Sequence, residues 1–191
     1  MKLVVGLGNP DKKFEHTRHN IGYLVLDAFT GLPKYNNLSF SKETKFFGLI
    51  AEQPEIKLLK PTTYMNNSGE AVRKLADYYH IKPEDIIIIH DDLDIPFGQI
   101  KIQKGKTAAG HKGAASTIDY LGTENFWRIR VGIAGKSRGQ MPGNKYVLSQ
   151  FTPDEQTNLP SIILRSAMAV KKCLEENPEA AAQEFNQKIV W

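Results

Sequence analysis

At 191 residues, with 41% hydrophobic and 24% charged residues, the chain is long enough to bury a real core, and its composition excludes a collagenous or largely disordered protein. Its single cysteine, Cys173, excludes an intramolecular disulfide, and no apolar run is long enough to span a bilayer. No signal peptide precedes the first strand, so the expectation is one cytoplasmic domain over residues 1–191, with a net charge of +4.

In chain order, Leu3-Val4-Val5 marks a strand over 2–6 that runs into the tight-turning Gly6 and Gly8. Ile21, Leu24, Val25 and Ala28 recur at helical spacing and predict a helix over 19–30. Strands over 46–52 and 55–60 flank a turn at Pro54-Glu55. A helix over 68–80 follows, with Val72, Leu75, Ala76 and Tyr79 as its apolar stripe and Asn67 with Glu70 as a capping pair. The unbroken run Ile86–Ile89 is that of a strand buried on both faces. A strand over 99–103, a helix over 111–121 and a strand over 127–134 come next. Thr152-Pro153-Asp154-Glu155 opens a helix with a cap, an N1 proline and a glutamate at the third position. Pro160 is expected to end that turn and start a longer helix to Glu176, where Cys173 sits in an apolar pattern as a buried small hydrophobe. Asn177-Pro178 opens a last helix. The alternation predicts an α/β single domain: a twisted, mixed, mostly parallel sheet covered by helices on both faces.

Four polar clusters fall at the ends of these elements: Asn9 with His19, Tyr64 to Gly69, His90-Asp91-Asp92 with Asp94, and Gly110-His111-Lys112-Gly113. Strand ends that feed helix starts are where such a sheet opens its crevice. His19 offers a base near neutral pH, and a carboxylate of the aspartate cluster would orient its ring. Asparagine amides can hold a carbonyl and donate to an oxyanion. No serine stands in a G-x-S-x-G elbow, which leaves water as the nucleophile. Gly6-x-Gly8 fails as a dinucleotide fingerprint because its third glycine position holds Asp11. The aspartates could hold a divalent ion, but no second carboxylate-rich cluster completes a two-metal site, so no metal or organic cofactor is expected. His111 could contact a phosphate or cap a turn. The charge is uneven: residues 98–138 carry eight bases (Lys101, Lys104, Lys106, Lys112, Arg128, Arg130, Lys136 and Arg138) against Asp119 and Glu124. A basic stripe confined to one segment is the footprint of a polyanion partner.

Taken together, G-L-G-N-P (6–10), T-R-H-N-x-G (17–22), K-P-x-T-Y-M-N-x-S-G (60–69), H-D-D-L-D-x-P-x-G (90–98) and G-H-x-G (110–113) resemble the bacterial-type peptidyl-tRNA hydrolase family. The resemblance implies hydrolysis of the ester between a peptide and the terminal ribose of tRNA, by a monomer without metal or cofactor. It implies His19 as the catalytic base and Asp91 as its support, with Asn9 and Asn66 holding the substrate beside the ester. Phe14, Tyr64 and Lys112 complete the implied substrate site, and Lys101, Lys104, Arg130 and Lys136 face tRNA. Three positions depart from the family pattern: Asp11 where glycine is common, Phe14 where tyrosine is common, and Lys112 where asparagine is common. A lysine cannot accept a hydrogen bond, so its charge would instead meet a phosphate or the developing oxyanion. Two other readings stand beside this one. A non-catalytic RNA-binding protein would not need His19 and Asp91 together, and an esterase of small acyl groups would not need the basic segment.

Overall fold

The computed structural model describes residues 1–189, the side chain of Ser137 excepted. One seven-stranded sheet forms the centre, built from β1 (Lys2–Gly6), β2 (Ser41–Glu43), β3 (Gly48–Gln53), β4 (Ile56–Pro61), β5 (Ile86–Pro96), β6 (Ile100–Lys104) and β7 (Trp127–Ala134). Their order across the sheet is β2-β3-β4-β1-β5-β7-β6. β1 pairs in parallel with β4 and β5, and β5 with β7, while β3 and β6 pair antiparallel to their neighbours. The sheet is therefore mixed and mostly parallel.

Period-two alternation splits the apolar residues of β1 and β5 between two cores. Val4, Ile87 and Ile89 face the cluster formed with α1 (Ile21–Thr30), α5 (Pro153–Glu175) and α6 (Pro178–Phe185). Leu3, Val5, Ile86 and Ile88 face the cluster beneath α2 (Ser68–Tyr78), which packs on α3 (Lys112–Leu121). The expected α/β architecture with helices on both faces is the one observed. No helix among the described residues is long and apolar enough to cross a membrane.

Two glycines fix where α1 begins. A Cβ on Gly6 would lie 2.3 Å from the Gly22 carbonyl oxygen, and one on Gly22 would lie 2.5 Å from the Ile89 oxygen. This bare contact lets the start of α1, and His19 just before it, sit directly on the end of β1 and on β5 beside it. At the far edge, the Asn186 amide accepts from Ile102 N (2.6 Å) and donates to Ile102 O (3.1 Å), and Gln99 exchanges similar bonds with Ile189. The Asn186 amide thus occupies edge groups of β6 that would otherwise be open to another strand, while the Gln99 side chain ties down the backbone of Ile189.

Three expectations need correction. Pro160 lies inside the continuous helix α5 instead of dividing it. Gln156, whose carbonyl loses its helical partner at that proline, is exposed, so water can serve it. Asn67 makes no side-chain cap, because a 3₁₀ turn over Met65–Asn67 leads into α2 and already supplies the first bonds. β5 continues past the isoleucine run to Pro96, so Asp91 and Asp92 stand on the strand and not after it. The capping box at Thr152 and Glu155 and the cap at Asn177 are formed. Cys173 is buried, and burial pushes its thiol up to about 12.

Candidate active site

Three helix starts converge at the carboxyl end of β1 and the middle of β5. They are the 3₁₀ turn Arg18–Asn20 before α1, the turn Met65–Asn67 before α2, and His111 capping α3. They border a cleft of about 620 Å³ lined by Asn9, Phe14, His19, Tyr64, Asn66, Asp91, His111 and Lys112, among others. Helix starts carry partial positive charge, so the cleft favours an anion or a developing oxyanion.

At its floor, Asp91 is almost fully buried and its Oδ1 takes two imidazoles, His19 Nδ1 at 2.8 Å and His111 Nε2 at 2.9 Å. His111 Nδ1 accepts from the backbone N–H of Ala114 at 3.1 Å. That nitrogen must hold a lone pair, so the His111 proton sits on Nε2 and points at Asp91. His19 likewise directs Nδ1–H at Asp91, which leaves its Nε2 as a lone pair for the cleft. Burial alone would raise the Asp91 carboxyl, but His111 and His19 outweigh it and hold it well below the usual carboxylate range. His90 lies behind this pair, with its Nδ1 2.7 Å from the Asp91 carbonyl and its ring 4.4 Å from that of His111. Burial, followed by His111, pushes its pKa far down, so it stays neutral.

Asn9 is placed by Asn20, whose amide accepts from Asn9 N and donates to Asn9 O, both at 2.9 Å. Asn9 Oδ1 accepts from Met65 N at 3.0 Å, so its NH2 group is the end left for the cleft. The Asn66 side chain is exposed and makes no hydrogen bond among the described residues. Tyr64 donates to Asp11 Oδ2 at 2.9 Å, so the departure at Asp11 orients an aromatic ring at the cleft mouth. Phe14 and Lys112 line the same cleft.

His19 is also tied to the opposite wall. Its N–H donates to Val147 O (2.8 Å), and Arg18 N donates to Ser149 O (3.1 Å). The buried Arg18 guanidinium reaches Ser149 Oγ, Gln150 O and Glu155, and stacks 4.2 Å from the Tyr146 ring. Val147 and Leu148, which follow the short helix α4 (Gly143–Tyr146), form that wall.

His19, Asp91 and His111 offer three ligand atoms within 4.8 Å of one another. A metal there would need the nitrogens that face Asp91 stripped of their protons. The His19 proton would then move to Nε2, and the open lone pair would be lost. The hydrogen bonds account for the cluster without that change.

The basic residues divide. Lys101, Lys104 and Lys136 are exposed. Arg130 is mostly covered, and its guanidinium pairs with Asp92 at 2.6 Å. Arg128, counted in the basic stripe, is buried and serves backbone carbonyls. Alternation along β6 puts Lys101 on the face of its partner Arg130 and Lys104 on the other face. The sequence offered Glu155 only as a helix cap and gave Arg18 and Asn20 no part of their own, because what the three do here depends on contacts with other segments.

A family model described as peptidyl-tRNA hydrolase matches residues 3–190. The peptidyl-tRNA hydrolase of Geobacillus kaustophilus is 44% identical over 98% of this chain and all of its own length. That of Desulfitobacterium hafniense is 40% identical over the same shares. A crystal structure of peptidyl-tRNA hydrolase from Acinetobacter baumannii superposes with a TM-score of 0.86 at 32% identity, covering 97% of this chain and 94% of that one.

Proposed function

The chain belongs to the peptidyl-tRNA hydrolase family, and from that premise we propose that His19 is the general base that activates water against the ester of peptidyl-tRNA. The observation that carries this reading is the pairing of His19 Nδ1 with the buried Asp91, which turns the Nε2 lone pair into the cleft. Water bound at Nε2 loses its proton to His19 as its oxygen attacks the carbonyl carbon. Asp91 stabilises the imidazolium that forms. His111 donates to the same carboxylate oxygen and fixes the direction in which Asp91 faces His19.

The carbonyl oxygen gains charge in the tetrahedral intermediate. The Asn9 NH2 group and the Asn66 amide are the side-chain donors placed for it, beside the positive helix starts. One such donor contributes about 3 kcal/mol in a transition state. The intermediate collapses by breaking the bond to the ribose oxygen, and His19 returns its proton to that oxygen. An ester leaves more readily than an amide, so a single base suffices. Phe14, Tyr64, Val147 and Leu148 offer apolar contact to the peptide, and Lys112 offers charge at the cleft rim. The exposed Lys101, Lys104 and Lys136, with Arg130 beside Lys101, hold tRNA phosphates, which positions the substrate without reading its bases. The protein works in the cytoplasm as a monomer and as one domain over residues 1–191.

The test is release of an N-acetyl-aminoacyl group from tRNA over a range of pH. Wild type is expected to show an acidic limb in kcat/KM. His19→Asn should lower the rate by about 10²–10⁴-fold and remove that limb. A limb that survives in the variant overturns the role of His19.

A further inference from the structure

Loop 105–110 joins the basic strand β6 to the start of α3. Three of its consecutive carbonyls turn onto one buried guanidinium. Arg128 donates to Gly105 O at 2.8 Å, Lys106 O at 2.9 Å and Thr107 O at 2.8 Å. Gly105, Lys106, Ala109 and Gly110 all have positive φ, at 67°, 85°, 49° and 77°. For a lysine this backbone is unfavourable, and Arg128 holds the peptides on both sides of Lys106.

The other side of these peptides is open. The backbone N–H groups of residues 106–110 have no acceptor among the described residues, although those of Gly105 and His111 on either side do. Water can serve such a row in the free protein. A ligand with several acceptor oxygens on one atom can serve several of these groups together. The surroundings set its sign. Lys104, Lys106 and Lys112 are exposed along the loop and its two ends, and no acidic residue occurs between Asp94 and Asp119. Ala109 and Gly110 line the catalytic cleft. An RNA strand that runs from the basic edge to an ester held at His19 therefore passes over this loop.

We propose that loop 105–110, shaped from within by Arg128, is a cradle for a phosphodiester of the RNA end that leads to the scissile ester. This rests on the function proposed above. The cradle uses backbone donors together with Lys106. Arg128 is a positioning residue that never touches the phosphate.

The experiment compares two esters of the same N-acetyl-amino acid, one on the 3′ end of the trinucleotide CCA and one on adenosine, which carries no phosphate. The readout is the ratio of kcat/KM between them, in wild type, Lys106→Asn and Arg128→Lys. Asparagine tolerates a left-handed backbone, so Lys106→Asn removes the charge and leaves the loop its shape. Lysine keeps the charge of Arg128 but lacks the planar fork, in which one nitrogen serves Thr107 O while the other serves Gly105 O and Lys106 O.

Lys106→Asn should lower the ratio about three- to tenfold and flatten the salt dependence on the CCA ester by roughly 0.7 log units per log salt. Arg128→Lys should lower the ratio by about tenfold at constant net charge. Equal losses on both esters, or a constant ratio, overturn the cradle. If Arg128→Lys fails to fold, Lys106→Asn decides. If wild type cleaves neither ester, it is the hydrolase reading that fails. Calorimetric binding of unacylated CCA then decides the cradle, which requires weaker binding by Lys106→Asn and is overturned by equal binding.

Discussion

Asp91 concentrates the charge logic of the site in one carboxylate. Burial would raise its pKa, but His111 and His19 hold it well below the ordinary value of about 3.9. A depressed carboxylate contributes stability that is fully present above its unfolded pKa and fades as the pH falls toward the folded one. Asp91→Asn should therefore be less stable than wild type at pH 7, with a gap that narrows below about pH 4. Urea unfolding at both pH values measures it, and a gap independent of pH would refute the account. Turnover should fall together with the pairing. The meeting of His19 with an aspartate of the 90–94 cluster, and the place of Asn9 at the same cleft, could be anticipated because each lies in a short motif at a strand end. The second donor to Asp91 could not. His111 lies 20 residues away, and its position before a helix was equally consistent with a simple cap.

Among the elements, α5 shows where local rules mislead. A proline in a helical pattern reads as a boundary, yet the helix runs from Pro153 to Glu175 through Pro160. The buried face of Ile162, Ser166, Ala169, Val170 and Cys173 continues on the far side, and packing outweighs the local cost. Pro160→Ala should restore the bond to the Gln156 carbonyl and stabilise the protein by about 1–3 kcal/mol. Thermal unfolding checks this, and a lower Tm would mean that the proline rigidifies the unfolded chain more than it harms the helix. Strand β5 was legible as far as its isoleucines. Its continuation through His90-Asp91-Asp92 was not, because these side chains earn their place in a sheet only through partners on β7 and the helix starts.

Across the whole molecule, the basic segment sorts into cations that face outward and cations that hold the protein together. A count of charges cannot make that distinction, since Arg128 and Lys101 read alike in a strand pattern. Lys101→Ala should raise KM for peptidyl-tRNA several-fold at nearly constant kcat and Tm, and reduce the salt slope by about 0.9. Arg130→Ala should also lower the Tm, because Asp92 is left buried without its partner, a loss on the order of 2 kcal/mol. Equal Tm values for the two variants would count against this division. The clamp beside His19 spans much of the chain: Arg18 is held by Glu155, 137 residues further along. During synthesis His19 emerges early, but the segment that fixes it emerges only when most of the chain has been made. A nascent chain that stops short of Glu155 carries His19 without that clamp. A peptidyl-tRNA hydrolase is, while it is being made, itself a peptide on tRNA, and until Glu155 has been added its Arg18 lacks the carboxylate that holds it.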